Sequence, residues 1–135
     1  MFLCLKCYQV YNNNIKFDKT LNWNFCPKAN CHGNIVEIDE LFIPVIIELN
    51  KKGYKTTYSC SGHVYDSYIN SYIGFDEEIK LESLPEGYTY DKVGITCIRK
   101  VFNKEEDMIK LSIDIYQNAI NVLDWVYKLK DIKNT

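Results

Sequence analysis

Cys4-Leu5-Lys6-Cys7 stands at the start of the chain, and Cys26-Pro27-Lys28-Ala29-Asn30-Cys31-His32-Gly33 follows eighteen residues later. A C-x2-C turn and a C-x4-C turn at this distance bring four thiolates to the corners of a tetrahedron, the arrangement and donor set that Zn²⁺ takes. The spacing gives the ligand set as Cys4, Cys7, Cys26 and Cys31, with His32 as an alternative to Cys31. Four sulfur ligands leave no open coordination position, so one structural zinc ion is expected. Gly33 follows Cys31 by two residues, where such a turn often requires positive φ.

Working outward, residues 1–38 read as a zinc ribbon. Phe2 to Val10 and Asn22 to Phe25 are its strand-like flanks, Asn12-Asn13-Asn14 is a turn, and Ile35, Val36 and Ile38 supply a short closing strand. So small a unit has little core of its own, and metal binding would supply much of its folding energy. Residues 39–135 read as the α/β domain. Phe42, Val45, Ile46 and Leu49 recur at helical spacing over 39–53, with Asp39 as a cap, Pro44 in the first turn and Gly53 as the stop. Tyr54 to Ser59 reads as a strand, Tyr68 to Phe75 as a second, and Val93 to Phe102 as the clearest. Leu81 to Tyr90 contains Pro85-Glu86-Gly87 and reads as a loop, and Asp76, Glu77 and Glu78 as a solvated turn.

Asn103, with Glu106 three residues on, predicts the start of a long helix to about Lys130. Met108, Leu111, Ile115, Ala119, Val122, Val126 and Leu129 form one stripe, which Ile109, Tyr116, Ile120, Leu123 and Tyr127 widen. A face this wide packs on a sheet, on a partner, or on both. The expected fold is therefore α+β, or small α/β: a zinc ribbon followed by a mixed sheet and two main helices.

The chain has 135 residues, 47% of them apolar, and a net charge of −2. That is enough for one core, and no overall basic field draws nucleic acid. Lys6, Lys16, Lys19 and Lys28 leave a local contact with a phosphate backbone open. Met1 to Leu5 is too short for the apolar part of a secretory signal, and no apolar run approaches membrane-spanning length. The expectation is a cytoplasmic protein with no membrane contact, in which six cysteines favour metal over disulfides. Abundant Lys, Asn, Ile and Tyr with Arg99 as the single arginine suggest an AT-rich genome, such as that of a low-GC bacterium or its phage.

The second chemistry-bearing stretch is Thr57-Tyr58-Ser59-Cys60-Ser61-Gly62-His63. Hydroxyls, a thiol and an imidazole are packed just after a strand, where Gly62 lets backbone amides approach a ligand. Serine hydroxyls and free amides there would form an anion nest. His63 would serve as acid or base, and Cys60 as a nucleophile only if its pKa is lowered. A second metal site at Cys60 and His63 would need further ligands, such as Asp66 and Cys97. Tyr54, Tyr58, Tyr65, Tyr68 and Tyr72 offer flat faces for a base or, equally, good strand formers.

The stretch from Ile38-Asp39 to Gly62, with IELNKKGYKTTYSCSGH at its centre, resembles two groups. One comprises uncharacterised small proteins of phages and low-GC bacteria, in which a zinc ribbon precedes an LN-x-KGY-x-T-x-x-SCSGH segment. The other, more distant, is the wybutosine-synthesis tRNA methyltransferase family, matched at Asp39, Asn50, Thr57, Ser59, Cys60, Ser61 and Gly62, with His63 where that family has arginine. The resemblance covers about 25 of 135 residues. It implies a small polar pocket at this loop for a nucleotide-like ligand.

The leading expectation is a phage-encoded, zinc-containing binding protein that holds a small anionic or nucleotide-like ligand at Thr57 to His63. Its roles by analogy would be sequestering a signalling nucleotide or blocking a host defence protein. The alternatives are an RNA-modifying enzyme whose ribbon grips RNA, and an interaction module that forms a homodimer or host-protein complex through the C-terminal helix.

Overall fold

A computed structural model describes residues 1–12, 25–76, 79–93, 95–103 and 107–133. It has an α+β architecture in which every neighbouring strand pair is antiparallel, so of the two expected classes it is the first.

The ribbon sheet has the order β2-β1-β3, from β1 (Phe2–Cys4), β2 (Val10–Tyr11) and β3 (Ile35–Glu37). Phe2 pairs with Tyr11 on one side and Glu37 on the other. Of the second expected flank, Phe25 forms a single bridge to Asn34. Asn22 to Asn24, Asn13, Asn14, Lys16, Lys19, Glu77 and Glu78 lie outside the described residues.

The ribbon is no appendage. Leu3 and Ile38 are buried in the same core as Phe42, Val45, Ile46 and Leu49, and Met1, Leu5, Tyr8 and Val10 pack against that core. Alternation along β1 explains this: Cys4 turns to the thiol cluster while Leu3 turns to the domain.

The first helical segment is split. Glu40–Phe42 is a 3₁₀ turn, and α1 (Ile43–Lys51) follows with Pro44 in its first turn, where a missing N–H costs nothing. Asp39 occupies the N-cap position with extended backbone but makes no capping bond. Its carboxylate is committed elsewhere. Gly53, at φ +98°, ends the helix in a conformation that favours glycine.

The second sheet has the order β4-β5-β7-β6, from β4 (Thr56–Cys60), β5 (Asn70–Phe75), β6 (Thr89–Val93) and β7 (Ile95–Val101). Ser71, Ile73 and Phe75 turn to the helices, and Tyr72 and Gly74 to the other face. A register shift interrupts β4 between Thr56 and Ser59, the kind of irregularity that re-aims side chains beside a site.

Asn103 does not cap the long helix. α2 (Met108–Lys128) is capped by Asp107, whose Oδ1 accepts from Ile109 N and Lys110 N at 3.0 and 3.3 Å. Glu106, the partner expected of Asn103, lies outside the described residues. Asp meets the same need as Asn at this position and is better placed to answer these amides. Leu111, Ile115, Ala119, Val122, Val126 and Leu129 are buried as their spacing predicts, but Met108, Ile109, Tyr116, Ile120 and Tyr127 are exposed. At the far end Lys52 Nζ donates to the carbonyls of Val126, Tyr127 and Leu129 at 2.9, 2.9 and 2.8 Å, closing α2 with a charge of the favourable sign.

Candidate functional site

Cys4, Cys7, Cys26 and Cys31 converge, with all four sulfurs within 4.8 Å of one another. Cys4 Sγ lies 3.6 Å from Cys31 Sγ, and Cys7 Sγ lies 3.8 Å from Cys26 Sγ. A tetrahedral ion with bonds of about 2.3 Å to sulfur requires sulfur separations of about 3.8 Å, so the four thiols can hold one metal ion. Lys6 N and Cys7 N each donate to Cys4 Sγ at 3.4 Å, and the Tyr11 hydroxyl lies 3.1 Å from Cys26 Sγ. Burial pushes the Cys4 thiol up to about 11, whereas the Gly33 amide draws Cys31 down to about 7. A bound cation resolves this difference by deprotonating coordinating thiols outright.

Both Cys turns need unusual backbone, though not where expected. The left-handed residues are Tyr8, Asn30 and His32, at φ 63°, 65° and 54°. Gly33 is needed for closeness instead. A Cβ there would sit 2.4 Å from Lys6 Cβ and 2.7 Å from Cys4 Sγ. His32 is exposed and stands outside the sulfur cluster. Lys6 Nζ donates to the Cys31 carbonyl at 2.9 Å, which ties the two turns together.

The second stretch forms a different kind of site. Thr57, Tyr58, Ser59, Cys60 and His63 line one cavity of about 580 Å³, together with Val36, Glu37, Asp39 and Tyr72. β4 delivers Thr57 to Cys60, the loop after it delivers His63, and β3 forms the opposite wall. Ser61 and Gly62 are buried behind this surface. The expected anion nest is not free. Asp39 Oδ2 accepts from Ser61 N at 2.8 Å and from Ser61 Oγ at 3.1 Å, and Gly62 N donates to Cys60 Sγ at 3.4 Å. Gly62 holds φ +105°, which lets the chain turn back within that reach.

Asp39 is thus fixed through one oxygen, while Oδ1 lies 3.4 Å from His63 Nε2. Asp39, Cys60 and His63 each place one donor atom within 4.8 Å of the others. Asp66 and Cys97, named from the sequence as partners for this pair, stand outside the group. Burial, opposed by the Gly62 amide and reinforced by the Asp39 carboxylate, pushes the Cys60 thiol up, which does not suit an unassisted nucleophile. Cys97 is buried, as expected of a core strand.

The tyrosines divide. Tyr58 and Tyr72 meet edge-to-face at 5.8 Å beside the cavity. The Arg99 guanidinium lies 4.7 Å from the Tyr72 ring centre, and its Nε donates to Asp91 at 2.7 Å. Tyr54 is buried, donating to the Lys130 carbonyl at 2.7 Å, and Tyr65 and Tyr68 are exposed. Asn50, one of the positions of resemblance, latches α1 to β4. Its Nδ2 donates to Thr56 Oγ1 at 2.9 Å, and its Oδ1 accepts from Thr56 N at 3.3 Å.

Sequence reading missed the supports of this site. Ser71 Oγ donates to the Cys60 carbonyl at 3.1 Å and meets the Tyr88 hydroxyl at 2.7 Å, which also accepts from Asn118 Nδ2 at 2.8 Å. A first missed signal was Asn118, a polar residue inside the apolar stripe of α2. Gly74 was a second missed signal, since glycine inside a strand marks a close approach. A Cβ there would lie 2.6 Å from the Tyr58 ring. Comparison with family models, curated proteins and solved structures returned no match.

Proposed function

We propose that the chain is a zinc-ribbon binding protein whose working site is the cavity between β3 and β4, and that it takes a small nucleotide-like ligand by its base. The observation that carries this reading is the lining of the cavity, where Thr57, Tyr58, Ser59, Cys60 and His63 stand together with Tyr72 and Glu37. Tyr58 and Tyr72 supply aromatic surface, and Glu37 supplies an acceptor for a ring N–H group. No lysine or arginine is among the lining residues, so the base rather than a phosphate is the recognised end. The four-cysteine site takes one Zn²⁺ and acts as the staple that sets β3 against β4.

Calorimetric titration with nucleosides and the corresponding nucleotides tests this. A nucleoside should bind about as tightly as its monophosphate. Tyr72→Ala should weaken binding by the ~1–3 kcal/mol typical of one base stacked on an aromatic ring. No binding by any nucleoside, or binding that depends on phosphate, would overturn the reading. Turnover abolished by Ser61→Ala or His63→Ala with binding retained would instead favour an RNA-modifying enzyme.

A second reading rests on one observation. Ile109, Ile113, Tyr116, Ile120 and Tyr127 are exposed along α2, opposite the buried stripe. Exposed apolar rows of this kind serve as contact surfaces. Light scattering would reveal a dimer through this row, and Ile113→Glu should return it to a monomer.

A further inference from the structure

We infer that Asp39, Cys60 and His63 form a second metal site, which takes one Zn²⁺ ion and leaves its fourth coordination position open to the cavity. This goes beyond the ligand reading and holds whether or not a nucleoside binds.

The donor set, the distances and the surroundings support it. The donors are one oxygen, one sulfur and one nitrogen, a set that suits zinc, and three protein ligands with a vacant fourth place is the pattern of an open rather than a structural zinc site. Their distances are already close to requirement. A tetrahedral ion with bonds of about 2.0 Å to oxygen and nitrogen places those atoms about 3.3 Å apart, and Asp39 Oδ1 and His63 Nε2 are 3.4 Å apart. The sulfur lies within 4.8 Å of both, and the His63 side chain is half-exposed.

The surroundings are also those of a ligand set. Gly62 N donates to Cys60 Sγ at 3.4 Å, the same bond that Lys6 N and Cys7 N make to Cys4 Sγ in the ribbon. Ser61 holds the second oxygen of Asp39 through both its amide and its hydroxyl, which fixes the carboxylate and leaves Oδ1 to bind. Hydrogen bonds that orient first ligands are a regular part of metal sites. Tyr58, Tyr72 and Glu37 line the same cavity as the three donor residues, so water or a donor atom of a molecule bound there would complete the tetrahedron.

Native mass spectrometry of the zinc-loaded chain during Zn²⁺ titration tests the count, and Co²⁺ added to the chain with its ribbon zinc in place tests the donors. Two metal ions per chain are expected, with a thiolate-to-cobalt charge-transfer band from the second. Cys60→Ser should abolish that band, and His63→Ala should weaken the second ion at least tenfold, since loss of even an orienting hydrogen bond costs roughly 10–100-fold. Ser61→Ala, which touches no metal, should weaken it by about tenfold on the same ground. Retention of the ribbon zinc in each variant shows that the fold survives. If a variant unfolds, the wild-type count and cobalt band decide alone. Saturation at one ion, a second ion without a thiolate band, or a second ion indifferent to both Cys60→Ser and His63→Ala would each overturn the proposal. Asp39 and His63 would then be a polar side-chain contact and nothing more.

Discussion

The four-cysteine cluster and the Asp39, Cys60 and His63 group use cysteine differently. In the ribbon four sulfurs face inward, three of them on buried residues, and they saturate any tetrahedral ion. At β4 a single sulfur is joined by a carboxylate and a half-exposed imidazole, and the group opens on a cavity. The first arrangement leaves no room for chemistry and contributes folding energy. The second leaves room, and its residues are held by bonds that would exist without any ion. Donor number and enclosure, rather than the presence of cysteine, separate a staple from a working site.

The largest effect should follow from breaking the closed cluster. Cys26→Ser, or exhaustive chelation, should release the ribbon metal and unfold β1 to β3, because structural zinc in small domains supplies on the order of 10 kcal/mol. Leu3 and Ile38 belong to the main core, so the loss should spread into it and lower the melting temperature of the whole chain. Cys60→Ser should leave the melting temperature nearly unchanged. Equal losses in a thermal scan would erase the distinction.

The glycines sharpen the same contrast. Gly33→Ala must force Lys6 and Cys4 apart, an overpacking cost of about 1–3 kcal/mol or more. It should also weaken metal retention by the ribbon. Gly62→Ala meets only ordinary contacts, the nearest at 3.5 Å, and should cost about 1 kcal/mol through its positive φ alone. Denaturant midpoints for the two variants should therefore rank in that order.

How much of this was legible follows from range. The closed cluster could be read because its ligands come in two short turns whose spacing encodes geometry. The cores of α1 and α2 could be read because helical periodicity is local. The open cluster could be read only in part: Cys60 and His63 are three residues apart and stood out as a pair, but Asp39 is 24 residues from His63 in sequence and meets it only once β3 and β4 lie side by side. Asp39 before an apolar run reads as a helix cap, and only the fold shows its carboxylate turned to Ser61. Tyr88 gave no signal in its loop, yet its hydroxyl joins Ser71 to Asn118.

That buried relay gives a smaller effect with a pH signature. Tyr88→Phe removes the shared hydroxyl and leaves Asn118 Nδ2 without its partner, at a cost of about 1–3 kcal/mol. Burial pushes the Tyr88 pKa above its ordinary 10.0. The neutral phenol is the folded form, so its contribution is complete below pH 10 and fades as pH rises through the elevated value. Stability of the wild type should fall more steeply than that of the variant in alkaline urea titrations. Tyr54, Tyr58 and Tyr72 shift in the same direction, so the slope should flatten without vanishing.

A small stability effect, and the one that bears most directly on the open cluster, is expected of Asp39→Asn. The amide oxygen of Asn can still accept from Ser61 N and Ser61 Oγ, so both bonds that hold the side chain survive. What disappears is the charge facing His63. With the His63 side chain 52% exposed, solvent screens that pair, and its loss should cost no more than about 1 kcal/mol. A structural aspartate would therefore be nearly replaceable by asparagine here. A metal-binding one would not, because a neutral amide oxygen is a poor substitute for a carboxylate at zinc. Chemical denaturation close to wild type, combined with loss of the second ion in native mass spectrometry, would assign the charge of Asp39 to binding. A large loss of stability instead would place Asp39 with the staples and leave His63 and Cys60 without a common purpose.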